Sequence, residues 1–164
     1  MRYLIYSLLL FISAAVWSQS TIPLVLKKLN KQSVPYLKVA EIKDHANLIF
    51  IDAREPKEFN VSHIKGAISV GFDHFKMKNV STAVPDKKAT VVVYCSIGVR
   101  SEKIGEQLLK AGYKNVYNLY GGIFEYKNQG GTVVNDTNIK TDSIHTFNKE
   151  WSVYLNKGIK VYEN

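Results

Sequence analysis

The feature that most constrains the fold is a short run of β-branched residues that leads into a helical pattern. Val91–Tyr94 is a continuous apolar run, and a loop containing Gly98 separates it from helical spacing that starts at Ser101. A second apolar run, Leu48–Ile51, is followed by a helix start at Pro56. Strands that are buried on both faces of a parallel sheet have such continuous apolar sequences. Strands that alternate with helices therefore predict an α/β fold built on a parallel sheet.

The other predicted elements are short. Further strands are predicted at Ile68–Val70 and Val116–Leu119, and further helices at Val39–Ala46, from Pro56, from Ser101 to a C-cap at Gly112, and at Ile123–Asn128. Residues 72–88 are polar and predict a connection with a helical turn near Phe75. Together these elements predict a central parallel sheet of about five short strands that is flanked by helices.

The chain contains one cysteine, which directly follows the Val91–Tyr94 strand. Ligands bind beyond the carboxyl ends of parallel strands, so Cys95 lies where a site is expected. Backbone N–H groups of the loop and the partial positive charge of the following helix both lower a thiol's pKa. Without a disulfide partner within the chain, Cys95 is either a reactive thiol or an inert buried one. Its position and the nearby Gly98 and Arg100 favour the reactive thiol.

The first residues have the pattern of a secretory signal peptide. Arg2 precedes an uncharged stretch from Tyr3 to Trp17, and small residues close it. We expect residues 1–18 to be removed, with Ser20 as an alternative cleavage position, and the mature protein to be secreted or periplasmic. The competing interpretation is an uncleaved membrane anchor, but the stretch is shorter than the ~20 residues that a spanning helix needs.

The predicted domain occupies residues 35–130. Residues 19–34, which include Pro23 and several Lys, Asn and Gln residues, predict a mostly extended linker before it. The extension 131–164 predicts an amphipathic helix with Asp142 or Ser143 as N-cap and Gly158 after its end. Five apolar residues share one face of this helix: Ile144, Phe147, Trp151, Tyr154 and Leu155. We expect the helix to pack back on the domain; the alternative is a helix that binds a partner.

Composition and charge narrow the class of protein. The 164 residues are 46% hydrophobic and 22% charged, which is the balance of a globular protein. The net charge is +8, but the basic residues are scattered and form no run of five or more and no stripe interleaved with aromatics. Nucleic acid is therefore not an expected partner, and the basic surface favours small anionic substrates.

Three sequence blocks resemble the rhodanese-like sulfurtransferases in their small, exported single-domain form. They are Asp52–Phe59, His63–Ala67, and the loop Cys95–Arg100 with its following helix, closed by Gly121–Ile123. The resemblance covers residues 35–130, and the order and spacing of all three blocks make it specific. It implies the rhodanese-like fold, a small anionic sulfur donor such as thiosulfate, and a thiol or cyanide as acceptor. It implies neither a metal nor an organic cofactor.

The resemblance also implies a mechanism. The Cys95 thiolate attacks the outer sulfur of the donor and becomes a persulfide, from which a thiophilic acceptor then takes that sulfur. Arg100 would hold the donor, although strong thiosulfate users often have basic residues directly after the cysteine. Backbone N–H groups of the substrate-binding loop would stabilise the thiolate and the persulfide, and they belong to Ser96, Ile97, Gly98, Val99, Arg100 and Ser101.

Loop length separates this mechanism from phosphate ester hydrolysis. Arg100 follows Cys95 after four residues, whereas cysteine phosphatases insert one more residue and thereby form a cradle sized for phosphate. A phosphatase or an arsenate-handling enzyme is therefore the disfavoured alternative. The other alternative is a non-enzymatic sulfur carrier or protein-binding module.

Several residues near the predicted loop are assigned mainly structural roles. Asp52 is expected to tie the strand end to neighbouring backbone, and Arg54 to form an ion pair with Glu58. Asp52 and Arg54 are also candidate supporting residues of the site, Arg54 as a substrate contact. His63 is expected to form a local hydrogen bond. The spacing of the four histidines does not predict a metal site: His45, His63, His74 and His145.

Overall fold

The computed structural model describes residues 21–42 and 45–162. Its α-helices are α1 (Ile22–Leu29), α2 (Pro56–Val61), α3 (Met77–Ala83), α4 (Val99–Lys110) and α5 (Gly122–Asn128). Its strands are β1 (Tyr36–Leu37), β2 (Ile49–Asp52), β3 (His63–Ile64), β4 (Ile68–Ser69), β5 (Thr90–Tyr94), β6 (Asn115–Leu119), β7 (Val133–Val134), β8 (Lys140–Thr141), β9 (Ser143–His145) and β10 (Ile159–Val161). Short 3₁₀ helices cover Val39–Glu41, His45–Asn47 and Trp151–Tyr154.

The central sheet has five strands in the order β1-β6-β5-β2-β4, and each neighbouring pair in it is parallel. This confirms the predicted α/β fold with a parallel sheet of five short strands. The two apolar runs of the sequence became β2 and β5, which pair with each other near the middle of the sheet. The carboxyl end of β5, where Cys95 follows, is thus flanked by strands on both sides.

Both faces of the sheet are covered, which explains the continuous apolar runs. Val92 and Tyr94 of β5 belong to one core, shared with α1 and α5, while Val91 and Val93 belong to a second core, shared with α3 and α4. All four side chains are fully buried. Because successive side chains of a strand point to opposite faces, a central strand covered on both sides needs apolar residues at each position. Cys95 continues this alternation and lies on the side of α3 and α4.

The predicted extended linker at residues 19–34 is wrong over most of its described part. Residues 22–29 form α1, in which Ile22 and Leu26 are buried in the first core while Leu24 is exposed. Apolar residues four positions apart lie on one face of a helix, and Pro23 is tolerated in the first turn, where an N–H group has no partner within the helix. The polar residues after Leu26 obscured this short pattern.

The amphipathic helix predicted in the C-terminal extension is also wrong. Ile144 lies in β9, which pairs in parallel with β10, and only Trp151–Tyr154 forms a 3₁₀ helix. Ile144 and Leu155 are buried, so the apolar pattern did identify residues that pack on the domain. Phe147, however, has a φ of +67°, which is left-handed and incompatible with a continuous right-handed helix. Ile144 and Leu155 are therefore buried through a strand and a short turn, while Phe147 stays 48% exposed.

Smaller differences concern the boundaries of elements. Two 3₁₀ turns replace the predicted helix Val39–Ala46, of which residues 43–44 lie outside the described part of the chain. The connection 72–88 contains α3, and α4 begins at Val99, two residues before its predicted start. The predicted signal peptide, residues 1–18, also lies outside the described residues. Within the described segments, no helix is both long enough and apolar enough to cross a membrane.

Candidate active site

The site is the loop between β5 and α4, with Cys95 at its start. Cys95 is only 2% exposed, and its Sγ accepts a hydrogen bond from the backbone N–H of Gly98 at 3.1 Å. The Ser101 hydroxyl lies 3.6 Å from Sγ and 2.8 Å from Asn118 Oδ1, so its single proton is shared between two acceptors. Gly98 has a φ of +113°, a conformation that glycine adopts without penalty and that lets the loop turn back over the sulfur.

The carbonyl groups of this loop are held by neighbouring elements. The first backbone N–H groups of α5 donate to it, Ile123 N to Cys95 O at 2.9 Å and Phe124 N to Ser96 O at 3.1 Å. On the other side, the amides of Asn118 and Asn30 both donate to Gly98 O, at 2.8 Å and 2.9 Å. With its carbonyls bound outward, the loop can present its N–H groups to the sulfur.

Close packing explains the glycine pair before α5. A Cβ atom on Gly122 would lie 2.4 Å from Cys95 O and 2.6 Å from Ser96 O, and the φ of Gly122 is +56°. Both the approach and the backbone conformation therefore require glycine. The Gly121-Gly122 pair thus lets α5 contact the Cys95–Arg100 loop directly.

The predicted ion pair between Arg54 and Glu58 is wrong. Arg54 precedes α2 rather than lying on it, and its Nη2 contacts Asp52 Oδ2 at 2.6 Å and Ser62 O at 2.6 Å. Asp52 also accepts from the backbone N–H of Arg54, which confirms its expected role at the strand end. Both Asp52 and Arg54 are fully buried, and neither lines the pocket beside Cys95. They support the site from within the core, and Arg54 is not placed to touch a substrate in the pocket.

Glu58 pairs instead with Arg100 of the loop. The two groups form a bidentate contact, Nη1 to Oε2 at 2.7 Å and Nη2 to Oε1 at 2.8 Å. Arg100 Nη2 also donates to Ser96 Oγ at 3.1 Å, while Glu58 accepts from the backbone N–H of Glu55 at the start of α2. Burial alone would raise the pKa of Glu58, but its hydrogen bonds and the charge of Arg100 outweigh this and lower the pKa. Glu58 therefore fixes the position of the loop's only arginine.

The surroundings of Cys95 favour the thiolate. Burial alone would raise the pKa of the thiol. The positive charge of Arg100 and hydrogen bonds from Ser101 and from the backbone of Gly98 act in the opposite direction, and the net pKa lies below the usual value of a thiol. A lowered pKa increases the fraction of the nucleophilic form at neutral pH. The geometry thus confirms the predicted strand–loop–helix arrangement around the sulfur.

A pocket of about 220 Å³ opens beside Cys95. The described residues that line it come from the loop, from α1 and from the C-terminal extension: Leu29, Cys95, Ser96, Ile97, Val99, Arg100, Phe147 and Trp151. Sequence reasoning missed Leu29, Phe147 and Trp151 as site residues, and also Glu58, Asn30 and Asn118 as supporting ones. The apolar pattern of the extension marked Phe147 and Trp151 as packing residues, but nothing in it indicated which surface they would cover.

His63 has the local role that the sequence predicted. Its Nδ1 lies 3.0 Å from Phe59 O, and its ring stacks on that of Phe59 at 3.8 Å between centroids. Among the described residues, no group of three or more His, Cys, Asp or Glu side chains could hold a metal ion.

The fold and the site together define an α/β domain with a parallel sheet and a candidate cysteine site, in which the thiol follows the central strand and accepts a hydrogen bond from a loop N–H group. The sequence model of the rhodanese-like domain matches residues 37–129, more than half of the chain. The chain therefore belongs to the rhodanese-like domain family, as its sequence blocks predicted.

The known proteins that this chain is similar to carry different names. The tRNA uridine(34) hydroxylases of Hamiltonella defensa and Yersinia pestis are 39% and 37% identical over 97 residues. Each match covers 56% of this chain but 27% of the relative, so the chain spans little more than a quarter of these relatives' length. The thiosulfate sulfurtransferase of Pseudomonas aeruginosa superposes with a TM-score of 0.58 and 25% identity, over 70% of this chain and 22% of that chain. A rhodanese-related protein from Thermoplasma volcanium has a TM-score of 0.53 and 23% identity, over 61% of this chain and 97% of its own, which shows the shared fold.

Proposed function

We propose that this protein is a sulfurtransferase that carries a sulfane sulfur as a persulfide on Cys95. The observation that carries the proposal is the placement of Cys95 Sγ inside its own loop, 3.1 Å from the N–H of Gly98, with the pKa of the thiol lowered by Arg100 against the effect of burial. A thiol buried in purely apolar surroundings would have its pKa raised instead. The solved thiosulfate sulfurtransferase of similar fold supports the same reaction class.

The proposed reaction has two steps, and neither needs an external proton. In the first, Cys95 Sγ attacks the outer sulfur of thiosulfate, the bond between the two thiosulfate sulfurs breaks, and its electron pair leaves on sulfite. The persulfide then carries one negative charge on its outer sulfur, and sulfite leaves with two. In the second, cyanide or a thiolate attacks that outer sulfur, and Cys95 leaves as a thiolate. Loop N–H groups stabilise the anion at both stages.

The loop also supports sulfur transfer over phosphoryl transfer. Arg100, the residue that a phosphatase would use to hold phosphate, already makes a bidentate ion pair with the fully buried Glu58. A phosphoryl group in the pocket would therefore compete with the Glu58 carboxylate for Arg100. That carboxylate has no access to water that could replace the ion pair. Sulfur transfer places less demand on Arg100, because the reacting sulfur is held by backbone N–H groups.

Turnover with two kinds of substrate tests this proposal. We expect thiocyanate to form from thiosulfate and cyanide, and an aryl phosphate to remain intact under the same conditions. Cys95→Ser is the matched control, since serine keeps the size of the side chain and removes the nucleophilic sulfur. Aryl phosphate hydrolysis that depends on Cys95 would favour a phosphatase. Failure of every sulfur donor, with Cys95 also closed to alkylation, would favour a binding module.

We further propose that the protein acts outside the cytoplasm, on a small anionic donor and with a thiol or cyanide as acceptor. The pattern of Arg2 and the apolar stretch Tyr3–Trp17 supports export. N-terminal sequencing of the protein recovered from its producing cells should begin after Ser18 or Ser20. An intact Met1 in membrane-bound protein would favour the uncleaved anchor.

A further inference from the structure

Two segments outside the family match complete the pocket beside Cys95. Leu29 comes from the end of α1, and Phe147 and Trp151 come from the C-terminal extension, whereas the family model covers residues 37–129. Ile97 and Val99 of the loop add two more apolar side chains. The reacting sulfur therefore lies beside a pocket whose lining is mostly hydrocarbon.

The charge of the pocket favours a singly charged ligand over a dianion. Among the described residues that line it, Arg100 alone is charged, and Glu58 already pairs with it at 2.7 Å and 2.8 Å. A thiosulfate dianion would find little uncompensated positive charge there, and it has no carbon atom to contact the apolar sides. A monoanion that carries an apolar group next to its sulfur would leave fewer charges unmatched.

Phe147 lines the pocket with an unusual backbone conformation. Its backbone is left-handed, with a φ of +67°, its side chain is 48% exposed, and its ring centroid lies 5.7 Å from Arg100 Cζ. Left-handed backbone is unfavourable in a residue other than glycine, and such strain concentrates at ligand-binding positions. Trp151, in the following 3₁₀ helix, packs against the first core and also lines the pocket. The two rings offer an aromatic surface that a ligand ring would cover.

From these contacts we infer that Phe147 and Trp151, which we call the aromatic wall, make this enzyme select organic thiosulfonates with an apolar or aromatic substituent over inorganic thiosulfate as sulfur donors. The inference rests on the proposed sulfurtransferase activity. The first step of the reaction follows the same course as with thiosulfate. Cys95 Sγ attacks the outer sulfur of an aryl thiosulfonate, the bond between the two sulfurs breaks, and the electron pair leaves on an aryl sulfinate. One negative charge stays on the persulfide and one on the sulfinate, so charge and atoms balance.

Three donors separate the effect of the ring from that of charge. Benzenethiosulfonate and methanethiosulfonate carry the same charge and leaving group type, and only the first has a ring; thiosulfate is the dianion. The ratio of kcat/KM for benzenethiosulfonate to that for methanethiosulfonate, with cyanide as acceptor, reports contact with the ring. We expect a ratio of roughly ten or more, since even small apolar groups in a hydrophobic pocket are discriminated by about ten-fold upward. We also expect methanethiosulfonate to react better than thiosulfate.

Variants of the aromatic wall test whether these two rings cause the preference for benzenethiosulfonate. Phe147→Ala and Trp151→Ala should each lower the ratio several-fold, whereas Val153→Ala, which removes an exposed side chain from the same 3₁₀ helix, should leave it unchanged. If a variant also shifts the position of Arg100, the shift changes kcat/KM for both monoanionic donors to the same extent. It therefore cancels in the ratio of the two kcat/KM values. Because Phe147 is half exposed, its variant remains informative if Trp151→Ala fails to fold.

The outcomes distinguish this inference from the proposed function. A ratio near one in the unmodified protein, or a high ratio that survives loss of both rings, would overturn the inference while sulfur transfer stands. If none of the three donors places a sulfur on Cys95, the proposed function and the inference both fall.

Discussion

The contact between the glycine pair and the Cys95–Arg100 loop can be tested by adding a single methyl group. Gly122→Ala would place a Cβ atom 2.4 Å from Cys95 O and 2.6 Å from Ser96 O, both of them backbone atoms. Neither atom can rotate away, so the loop and α5 must separate. The hydrogen bonds from Ile123 N and Phe124 N to the same two carbonyls would lengthen as a result.

The expected loss of stability follows from three effects. Alanine in the left-handed conformation costs about 1–2 kcal/mol, partly offset by the lower entropy of its unfolded chain, about 0.4–1 kcal/mol. Forcing an extra carbon into a close-packed site adds about 1–3 kcal/mol, and weakening a buried hydrogen bond adds about 1 kcal/mol. We expect Gly122→Ala to lower the free energy of unfolding by about 4 kcal/mol.

Gly130→Ala is the matched control, because Gly130 has a φ of +91° and nothing within 4 Å of the added Cβ. It should show the conformational effect alone, about 1 kcal/mol after the unfolded-state offset. Urea denaturation measures both variants, and the pH dependence of Cys95 alkylation reports the loop. The pKa of Cys95 should rise in Gly122→Ala, since displaced N–H groups stabilise its thiolate less. Equal stability loss in the two variants, with an unchanged alkylation profile, would refute the packing argument.

Three further predictions concern charge and packing around the loop. Replacing Arg100 with Gln removes the main influence that lowers the pKa of Cys95, so the midpoint of alkylation against pH should move upward. The pKa of Glu58 is lowered in the folded protein, so its ion pair stabilises the fold above the carboxyl's unfolded-state pKa. This stabilisation is lost as the pH falls through the folded-state pKa. Glu58→Gln should therefore lower the free energy of unfolding at pH 7 by about 3 kcal/mol, and its stability in urea titrations should depend less on acid pH. If α1 is part of the core, Leu26→Ala should lower the free energy of unfolding in the same assay by about 2–5 kcal/mol. Replacing the exposed Leu24 with Ala should lower it by less than about 0.5 kcal/mol. Equal effects of the two variants would mean that α1 does not pack on the domain and that the predicted linker is correct.

Local patterns in the sequence identified the centre of this fold. Val91–Tyr94 is apolar at each position because both faces of β5 are covered, and Cys95 directly follows that strand. The strand–loop–helix order then placed the thiol at the carboxyl edge of a parallel sheet, which the structure confirms. These features follow from a few consecutive residues and from general rules for parallel sheets.

What the sequence could not predict depends on residues that are far apart in the chain. Arg100 pairs with Glu58 across 42 positions, whereas a helical spacing rule could only consider the neighbour Arg54. Because α2 begins at Pro56, Arg54 lies before the helix and does not share a helix face with Glu58. The carboxylate of Asp52, two residues before Arg54, pairs with it instead.

The extension shows a similar limit. The apolar spacing of Ile144 and Leu155 correctly indicated burial but not the conformation, because β9 gained a strand partner in β10. Nothing local to Phe147 indicates that its ring would reach Arg100, which precedes it by nearly a third of the chain. Long-range packing of this kind decides the lining of the pocket.

The intact mass of the purified protein after treatment with a sulfur donor tests the central claim most directly. We predict a gain of one sulfur atom with thiosulfate or a thiosulfonate, its removal by cyanide, and no gain in Cys95→Ser. An unchanged mass with every donor, while iodoacetamide still modifies Cys95, would contradict the assignment of Cys95 as a persulfide carrier.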